Sequence, residues 1–221
     1  MRSSVKTIFF DIGNTLLFPD RAHILKPLGK RDVPLAHWHA IERATKRKFD
    51  DIVEHGGPAD HGFWHMFYAQ LLKDLQINDD KVHASLVDAT RISANWCEIR
   101  PGTCEALQRI SQRFPLGIIS NADGKVTAVL ERCGIAPCVQ SITDSGVLGY
   151  EKPHPAIFEA ALRTLDAAPE QSLYVGDVYS VDYLGATRAG MQAILFDVSG
   201  AYRDTGLPRV ESLDELEKKL L

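Results

Sequence analysis

The sequence predicts an α/β protein in which a Rossmann-like parallel sheet carries helices on both faces and an all-helical cap domain is inserted after the first strand. Two observations predict this architecture. In residues 5–17 and 101–199, short apolar segments alternate with helical patterns, which is the order expected of right-handed βαβ crossovers. Residues 18–100 carry helical patterns only. We therefore expect a core domain of residues 1–17 and 101–221 and a helical cap domain of residues 18–100.

Five segments of the core are predicted to be strands. Each is short and apolar or β-branched, and each is bounded by Gly, Pro, Asp or Ser. They are residues 5–10, 116–120, 139–143, 173–176 and 193–196. Between them, apolar residues recur at the i, i+3 and i+7 positions of a helix face, as for Leu107, Ile110 and Phe114. Such stripes are typical of helices that cover a sheet.

Three apolar stripes predict three helices in the cap domain. They are formed by Leu35, Trp38 and Ile41, by Trp64, Phe67, Tyr68, Leu71 and Leu75, and by Val82, Leu86 and Ala89. The first of these helices continues into a basic run, and the acids around that run are Glu42, Asp50 and Asp51. We interpret the run, Lys46, Arg47 and Lys48, as a solvated helix face, because mixed charge is usual on the exposed side of a helix.

Composition argues against several classes of function. The chain has 221 residues and a formal net charge of −4, so nothing in it attracts nucleic acid or an anionic membrane as a whole. No apolar stretch approaches the length of a membrane span, and no signal-peptide pattern is visible. The four cysteines form no C-x-x-C pair and are expected to be reduced thiols. We expect a cytoplasmic protein, a monomer or a homodimer, that binds neither nucleic acid nor membrane.

Reactive side chains follow four of the predicted strands. Because ligands of open parallel sheets bind beyond the carboxyl ends of the strands, these side chains are expected to converge on one crevice. In chain order they are Asp11, then Ser120 and Asn121, then Lys152, and finally Asp177 and Asp182.

This set of groups suits the transfer of a phosphoryl group to a carboxylate. A carboxylate that attacks a phosphate dianion faces a repulsion of about 1 kcal/mol per charge pair at roughly 4 Å in water, and several times more in a drier site. A divalent cation and a lysine offset that repulsion and stabilise charge on the transferring oxygens. A second acid keeps the lysine or the metal shell oriented.

Four motifs occur in a characteristic order: DIGNT from Asp11, then SN, KP and GDVYSVD. In this order and spacing, the sequence resembles the haloacid dehalogenase superfamily, in its phosphatase-like branch with a helical cap after the first strand. The resemblance covers nearly the whole chain, although the cap matches only in position and helical character. It implies a Mg²⁺-dependent hydrolase that forms an aspartyl-phosphate intermediate on a small phosphorylated substrate.

The resemblance also implies a role for each motif residue. Asp11 is the nucleophile, Lys152 bridges nucleophile and phosphate, and Thr15 shapes the loop after the nucleophile. By class, the catalytic residues are Asp11, Ser120 and Lys152, the substrate-binding residues are Thr15, Ser120, Asn121 and Lys152, the Mg²⁺ ligands are Asp11, Asp177 and the carbonyl of Gly13, and the supporting acid is Asp182.

The sequence departs from this family at Gly13. The family's phosphatases usually carry a second Asp there, which protonates the leaving group and then activates water. Gly13 keeps a backbone carbonyl for Mg²⁺ but lacks the acid/base side chain. Since general acid–base catalysis contributes about 10²–10⁴-fold, we expect slow turnover of alkyl phosphates and a smaller loss with good leaving groups. The candidates for a substitute proton donor are Asp20, His23, His61, His65 and Asp123.

Two other functions stay open at this point. A 2-haloacid dehalogenase also lacks the second Asp, because halide leaves without a proton. Those enzymes work without metal, however, and Asp177 would put an unneeded negative charge beside Asp11. A non-catalytic phosphate-binding regulatory protein would have kept the pocket and lost turnover, and the presence of all the motif residues together speaks against it, because buried acids without a function are costly.

Each motif taken alone also has a purely structural interpretation. Ser120 and Asn121 would cap a helix that begins near Gly124. Asp182 would start a helix that runs through Ala186 and Ala189. Only the ordered set of motifs favours an active site over these explanations.

Overall fold

The computed structural model describes residues 5–57 and 62–220, and it contains one six-stranded sheet with the spatial order β5-β4-β1-β6-β7-β8. All neighbouring strands in it run parallel. The strands are β1 (Thr7–Phe10), β4 (Leu116–Ser120), β5 (Ser141–Asp144), β6 (Ser172–Gly176), β7 (Gln192–Phe196) and β8 (Arg209–Val210). The predicted α/β fold class is therefore confirmed.

Helices cover both faces of this sheet. Ile8 and Phe10 point to one face and Phe9 to the other, as alternation along a strand requires. The helices that pack on the first face are α5 (Thr103–Ser111), α6 (Val126–Arg132) and α10 (Leu213–Leu220). Those on the second face are α8 (Pro155–Thr164) and α9 (Leu184–Arg188). The short helix α7 (Ser145–Leu148) follows β5 directly.

The insert, residues 18–100, contains the three predicted helices. They are α2 (Leu35–Glu54), α3 (Gly62–Asp74) and α4 (Asp80–Arg91), and a short α1 (Arg21–Ile24) precedes them. Their apolar stripes form a separate buried cluster that includes Trp38, Phe67, Tyr68 and Leu86. None of the helices that the structure describes is both long and apolar enough to cross a membrane.

Three strands of the structure were absent from the sequence prediction. β2 (Phe18–Pro19) pairs antiparallel with β3 (Trp96–Glu98), so the insert is helical except where its two ends meet. β8 extends the main sheet at its edge. All three have only two or three residues, which is too short for a period of two to be visible in a sequence. In addition, the strand predicted at residues 139–143 begins at Ser141, after a 3₁₀ turn at Ala136–Cys138.

Candidate active site

The carboxyl ends of the central strands carry the predicted site residues to one cavity. Asp11 directly follows β1, Ser120 ends β4 and Asp177 directly follows β6, while Lys152 lies in the segment after α7. The cavity has a volume of about 410 Å³, and its lining includes Asp11, Gly13, Ser120, Asn121, Lys152, Asp177 and Asp182. The expected convergence at this edge of the sheet is thus what the structure shows.

The ammonium group of Lys152 joins the nucleophile candidate to the supporting acid. Its Nζ donates to Asp11 Oδ1 over 2.7 Å, to Asp182 Oδ1 over 2.7 Å and to the Tyr174 hydroxyl over 2.8 Å. An ammonium has three donors, so all three are used. Burial alone lowers the pKa of Lys152, but the two adjacent carboxylates outweigh it and raise the pKa above its usual value. The group is therefore a permanent positive charge beside Asp11.

Asp182 is held in place by its own loop. Its Oδ2 accepts the backbone N–H of Val178 over 2.9 Å, and its Oδ1 accepts the Tyr174 hydroxyl over 3.1 Å. The residue lies in a π-helical turn, Tyr179–Tyr183, and α9 begins after that turn. A Cβ at Gly176 would come 2.5 Å from the Asp182 carboxyl carbon, so only glycine leaves room for this arrangement. The Asp182 carboxylate thus contacts Lys152 and the residues around it, and it lies in the turn before α9 rather than at the start of that helix.

Asn121 binds the backbone of Lys152 with both ends of its amide. Its Nδ2 donates to the Lys152 carbonyl over 3.0 Å, and its Oδ1 accepts the Lys152 N–H over 2.7 Å. The helix-capping interpretation of Ser120 and Asn121 is wrong, because α6 begins at Val126 and Asp144 accepts the N–H groups of Gly124 and Val126. Asn121 therefore positions the lysine.

Thr15 lies in the turn that follows the nucleophile. The N–H groups of Thr15, Leu16 and Leu17 all point to the carbonyl of Ile12, at 3.2, 2.9 and 2.9 Å. The Thr15 side chain is buried, its hydroxyl has no partner among the described residues, and the residue does not line the cavity. This placement agrees with a residue that shapes the loop, and it offers no direct contact with a substrate.

Two carboxyl groups in the cluster have strongly raised pKa values. Burial raises the pKa of Asp11 from 3.8 to about 6, even though the Lys152 ammonium lowers it. Burial likewise raises the pKa of Asp177 from 3.8 to about 7, against the opposing effect of the Lys46 ammonium. Each of these carboxyl groups therefore binds its proton more tightly than a free aspartic acid does. A metal cation bound between them would favour their ionised forms.

The donor set fits a hard divalent cation. Carboxylate oxygens of Asp11, Asp177 and Asp182 all lie within 4.8 Å of one another. With Glu42, which pairs with Lys46, the cluster has four carboxylates against two ammonium groups, so two negative charges remain when all are ionised. Oxygen ligands and a residual charge of this size suit Mg²⁺. Gly13 lines the same cavity.

The position of the missing acid is covered by a tryptophan. A Cβ built on Gly13 would come 3.3 Å from Cζ3 of Trp96, which is closer than side chains normally pack. The Trp96 indole is held by a 2.7 Å hydrogen bond from Nε1 to the Thr90 carbonyl, and its ring lies 5.6 Å from that of Trp64. The cavity wall above Gly13 is therefore aromatic, and the sequence alone did not indicate this.

The structure reduces the set of substitute proton donors. Of the candidates that it describes, only Asp123 lines the cavity. Burial would raise the pKa of Asp123, but hydrogen bonds from Ser93 outweigh it and the pKa is lowered. Asp20 caps α1, accepting the backbone N–H of His23, and His65 lies exposed beside His83. His61 lies outside the described residues.

The interpretation of Lys46 as part of a solvated face is wrong. Lys46 is 1% exposed, and its Nζ lies 2.8 Å from Asp177 Oδ2 and 2.9 Å from Glu42 Oε1. Lys48 is exposed as expected. The spacing of the charged residues could have indicated this burial. Glu42, Lys46 and Asp50 lie four residues apart, so they share one side of α2, and that side is next to the apolar stripe of the helix.

Comparisons with known proteins identify relatives in sequence and in structure. The chain is 32% identical over 212 residues to a glyceraldehyde 3-phosphate phosphatase of Methanothermobacter thermautotrophicus, covering 90% of each chain. A magnesium-bound structure of the HAD-hydrolase YfnB from Bacillus subtilis matches with a TM-score of 0.72 at 18% identity, over 99% of both chains. A 2-haloacid dehalogenase from Pseudomonas syringae matches with a TM-score of 0.59 at 23% identity, over 98% of both chains. Both structural matches are below 25% identity, and they show the fold of the chain.

The family itself is shown by a model that spans most of the chain. The model for haloacid dehalogenase-like hydrolases matches residues 5–190, which include every motif residue described above. The chain belongs to the haloacid dehalogenase-like hydrolase family.

Proposed function

We propose that this hydrolase is a Mg²⁺-dependent phosphatase of a small phosphorylated metabolite and that Asp11 is its nucleophile. The observation that carries the proposal is the pair of ion pairs made by Lys152, whose Nζ lies 2.7 Å from Asp11 Oδ1 and 2.7 Å from Asp182 Oδ1. The Asp177 carboxylate belongs to the same cluster. A relative that shares 32% identity over 90% of the chain is named a glyceraldehyde 3-phosphate phosphatase, which supports a small phosphate ester as substrate.

The proposed reaction has two displacements at phosphorus. In the first, a carboxylate oxygen of Asp11 forms a bond to phosphorus, and the ester bond to the leaving-group oxygen breaks. In the second, water attacks the aspartyl phosphate and releases inorganic phosphate, which restores the carboxylate. Such covalent catalysis divides one difficult step into two easier ones.

The chain's own residues prepare these steps by charge and position. Lys152 keeps one oxygen of Asp11 fixed and places a positive charge where the phosphoryl oxygens arrive. The hydroxyl of Ser120, at the end of β4, supplies a further donor to those oxygens. Asp11, Asp177 and the carbonyl of Gly13 would hold Mg²⁺, which neutralises charge on the attacking and transferring oxygens.

The leaving group receives no proton from position 13. Gly13 has no acid, and Trp96 covers the space that a side chain would enter. We infer that substrates with stable leaving groups react faster than alkyl esters, and that Asp123 is the available carboxylate for activating water because it lines the cavity. The insert, as a cap domain, would cover the cavity during these steps and exclude water.

The proposal is tested with purified protein, Mg²⁺ and p-nitrophenyl phosphate. Wild type is expected to release nitrophenol and to lose this activity when EDTA is added, and Asp11→Asn is expected to abolish it. Asp51→Asn, an exposed acid on α2, is the matched control. Equal rates in wild type and Asp11→Asn would overturn the nucleophile assignment. Metal-independent release of chloride from 2-chloropropionate would instead favour a dehalogenase.

A further inference from the structure

Helix α2 meets the core through a stripe of charged side chains. Glu42, Lys46 and Asp50 are spaced four residues apart, so they share one side of the helix. All three are buried. Lys46 Nζ forms ion pairs with Glu42 Oε1 on its own helix, at 2.9 Å, and with Asp177 Oδ2 in the core, at 2.8 Å. A charged stripe of the insert thus lies against the loop that carries the proposed metal ligand.

Asp50 binds the same loop one turn further along α2. Its Oδ1 accepts the backbone N–H of Ser180 over 2.9 Å, and its Oδ2 accepts the Tyr202 hydroxyl over 2.8 Å. That hydroxyl also accepts the N–H of Tyr179 over 3.0 Å. The backbone just after Asp177 is therefore attached to α2 both directly and through Tyr202.

The Asp177 carboxylate depends on Lys46 for its orientation. Within residues 5–57 and 62–220, the Lys46 ammonium is its one hydrogen-bonding or ionic partner. Asp182, by contrast, is held by Lys152, Tyr174 and a backbone N–H. Asp177 lines the cavity and Lys46 does not, so the ammonium contacts the carboxylate from behind the space available to substrate.

We propose that Lys46 is a positioning residue for the divalent cation. Its ammonium holds Oδ2 of Asp177, so that the other carboxylate oxygen is directed toward Asp11, and Glu42 holds the ammonium in turn. The inference rests on the proposed function, because it takes Asp177 as a ligand of the cation. Residues that orient metal ligands typically change metal affinity by about 10–100-fold when they are removed.

Charge alone leads to the opposite expectation. An ammonium next to a metal ligand repels a divalent cation, so its removal would strengthen binding if repulsion dominated. Orientation dominates in our proposal, because a cation needs the oxygens of Asp11 and Asp177 directed to one point. The two effects have opposite signs, and a single affinity measurement separates them.

The test measures Mn²⁺ binding by electron paramagnetic resonance in the absence of substrate. We expect Lys46→Met to weaken Mn²⁺ binding about 10–100-fold, and Lys46→Arg, which keeps the charge and the donors, to recover most of the loss. Lys48→Met, on the exposed side of the same helix, is the matched control and should bind like wild type. Binding by Lys46→Met that is equal to or tighter than that of wild type would overturn the proposal.

The Mg²⁺ dependence of the rate and a second variant test the same proposal. With p-nitrophenyl phosphate, Lys46→Met should raise the Mg²⁺ concentration required for half-maximal rate and leave KM for the ester nearly unchanged. If Lys46→Met does not fold, Glu42→Gln replaces it, and unchanged Mn²⁺ affinity in that variant overturns the proposal. A wild type that binds no Mn²⁺ would overturn both the proposed function and this inference, whereas binding that is insensitive to position 46 overturns only the inference.

Discussion

The indole ring of Trp96 lies beside Gly13, at the position where a side chain would leave the backbone. A Cβ there would come 3.3 Å from Cζ3 of the ring. Gly13 does not have a positive φ, so the ring, and not the backbone conformation, opposes a larger residue. The absence of an acid at position 13 and the aromatic wall are therefore linked: a Cβ at this position requires Trp96 to shift by a few tenths of an ångström, and a carboxyl group beyond it would share the space beside the ring.

This relationship predicts a dependence between two substitutions. Gly13→Asp alone is expected to give no gain on alkyl phosphates, because the carboxylate has to displace Trp96. Gly13→Asp combined with Trp96→Ala should raise kcat on an alkyl phosphate relative to Trp96→Ala alone, by up to about 10²-fold, the low end of general acid catalysis. The measurement is kcat for glycerol phosphate and p-nitrophenyl phosphate in all four proteins. If Gly13→Asp alone raised kcat for glycerol phosphate as much as it does in the Trp96→Ala background, Trp96 would not hinder the new side chain, and the prediction would be wrong.

Removal of the Lys152 ammonium should lower the stability of the folded protein. Lys152→Met leaves Asp11 and Asp182 buried without their shared partner, and breaking a buried ion pair typically costs about 3–5 kcal/mol of unfolding free energy. The loss should be larger at pH 8 than at pH 5, because Asp11 can take up a proton at the lower pH. Urea unfolding at the two pH values measures it, with the exposed Lys125→Met as control. A loss equal to that of the control would contradict the role of the bridge.

The raised pKa values predict how stability varies with pH when no metal is present. Asp11 has a folded pKa of about 6 and Asp177 one of about 7, both above the ordinary 3.8. Between about pH 4 and 7 the folded state therefore binds more protons than the unfolded state, and the unfolding free energy falls as pH rises. The fall for Asp11 alone is about 3 kcal/mol.

Denaturant unfolding in EDTA across this pH range tests the sign. Asp11→Asn removes one titrating group and should give a flatter profile than wild type. Added Mg²⁺ should reduce the fall, because a bound cation favours the ionised carboxylates. A stability that rises with pH over the same window would show that the carboxyl groups are ionised more easily in the folded protein.

The amide of Asn121 should act on catalysis through Lys152. Asn121→Leu removes both hydrogen bonds to the lysine backbone and leaves those backbone groups without their partner, at a cost of about 1–3 kcal/mol. We expect kcat/KM for p-nitrophenyl phosphate to fall about tenfold, a change of about 1.4 kcal/mol, and Mn²⁺ affinity to stay near that of wild type. Asn78→Leu, at an exposed asparagine, is the control. An unchanged kcat/KM would mean that Lys152 is positioned without the amide.

Prediction from the sequence succeeded where a residue's place follows from strand order. Asp11, Ser120 and Asp177 lie at the ends of apolar strands, and parallel strands bring their carboxyl ends to one edge whatever the details of packing. The prediction was wrong for Lys46, because a charged residue on a long helix has the same local pattern whether it faces water or a buried carboxylate. Strands of two or three residues, as in β2 and β8, were missed because they carry no period.

The sequence by itself determined the fold class and the order of groups along the edge of the sheet, since both follow from local hydrophobic periodicity and short motifs. Only the tertiary structure decided that Lys46 contacts Asp177, that Asn121 binds the lysine backbone and that Trp96 covers Gly13. Each of these contacts joins residues that are distant along the chain, so local patterns carry no record of them: the contacts of Lys46 and Trp96 depend on how the insert packs against the core, and that of Asn121 depends on how two loops of the core meet.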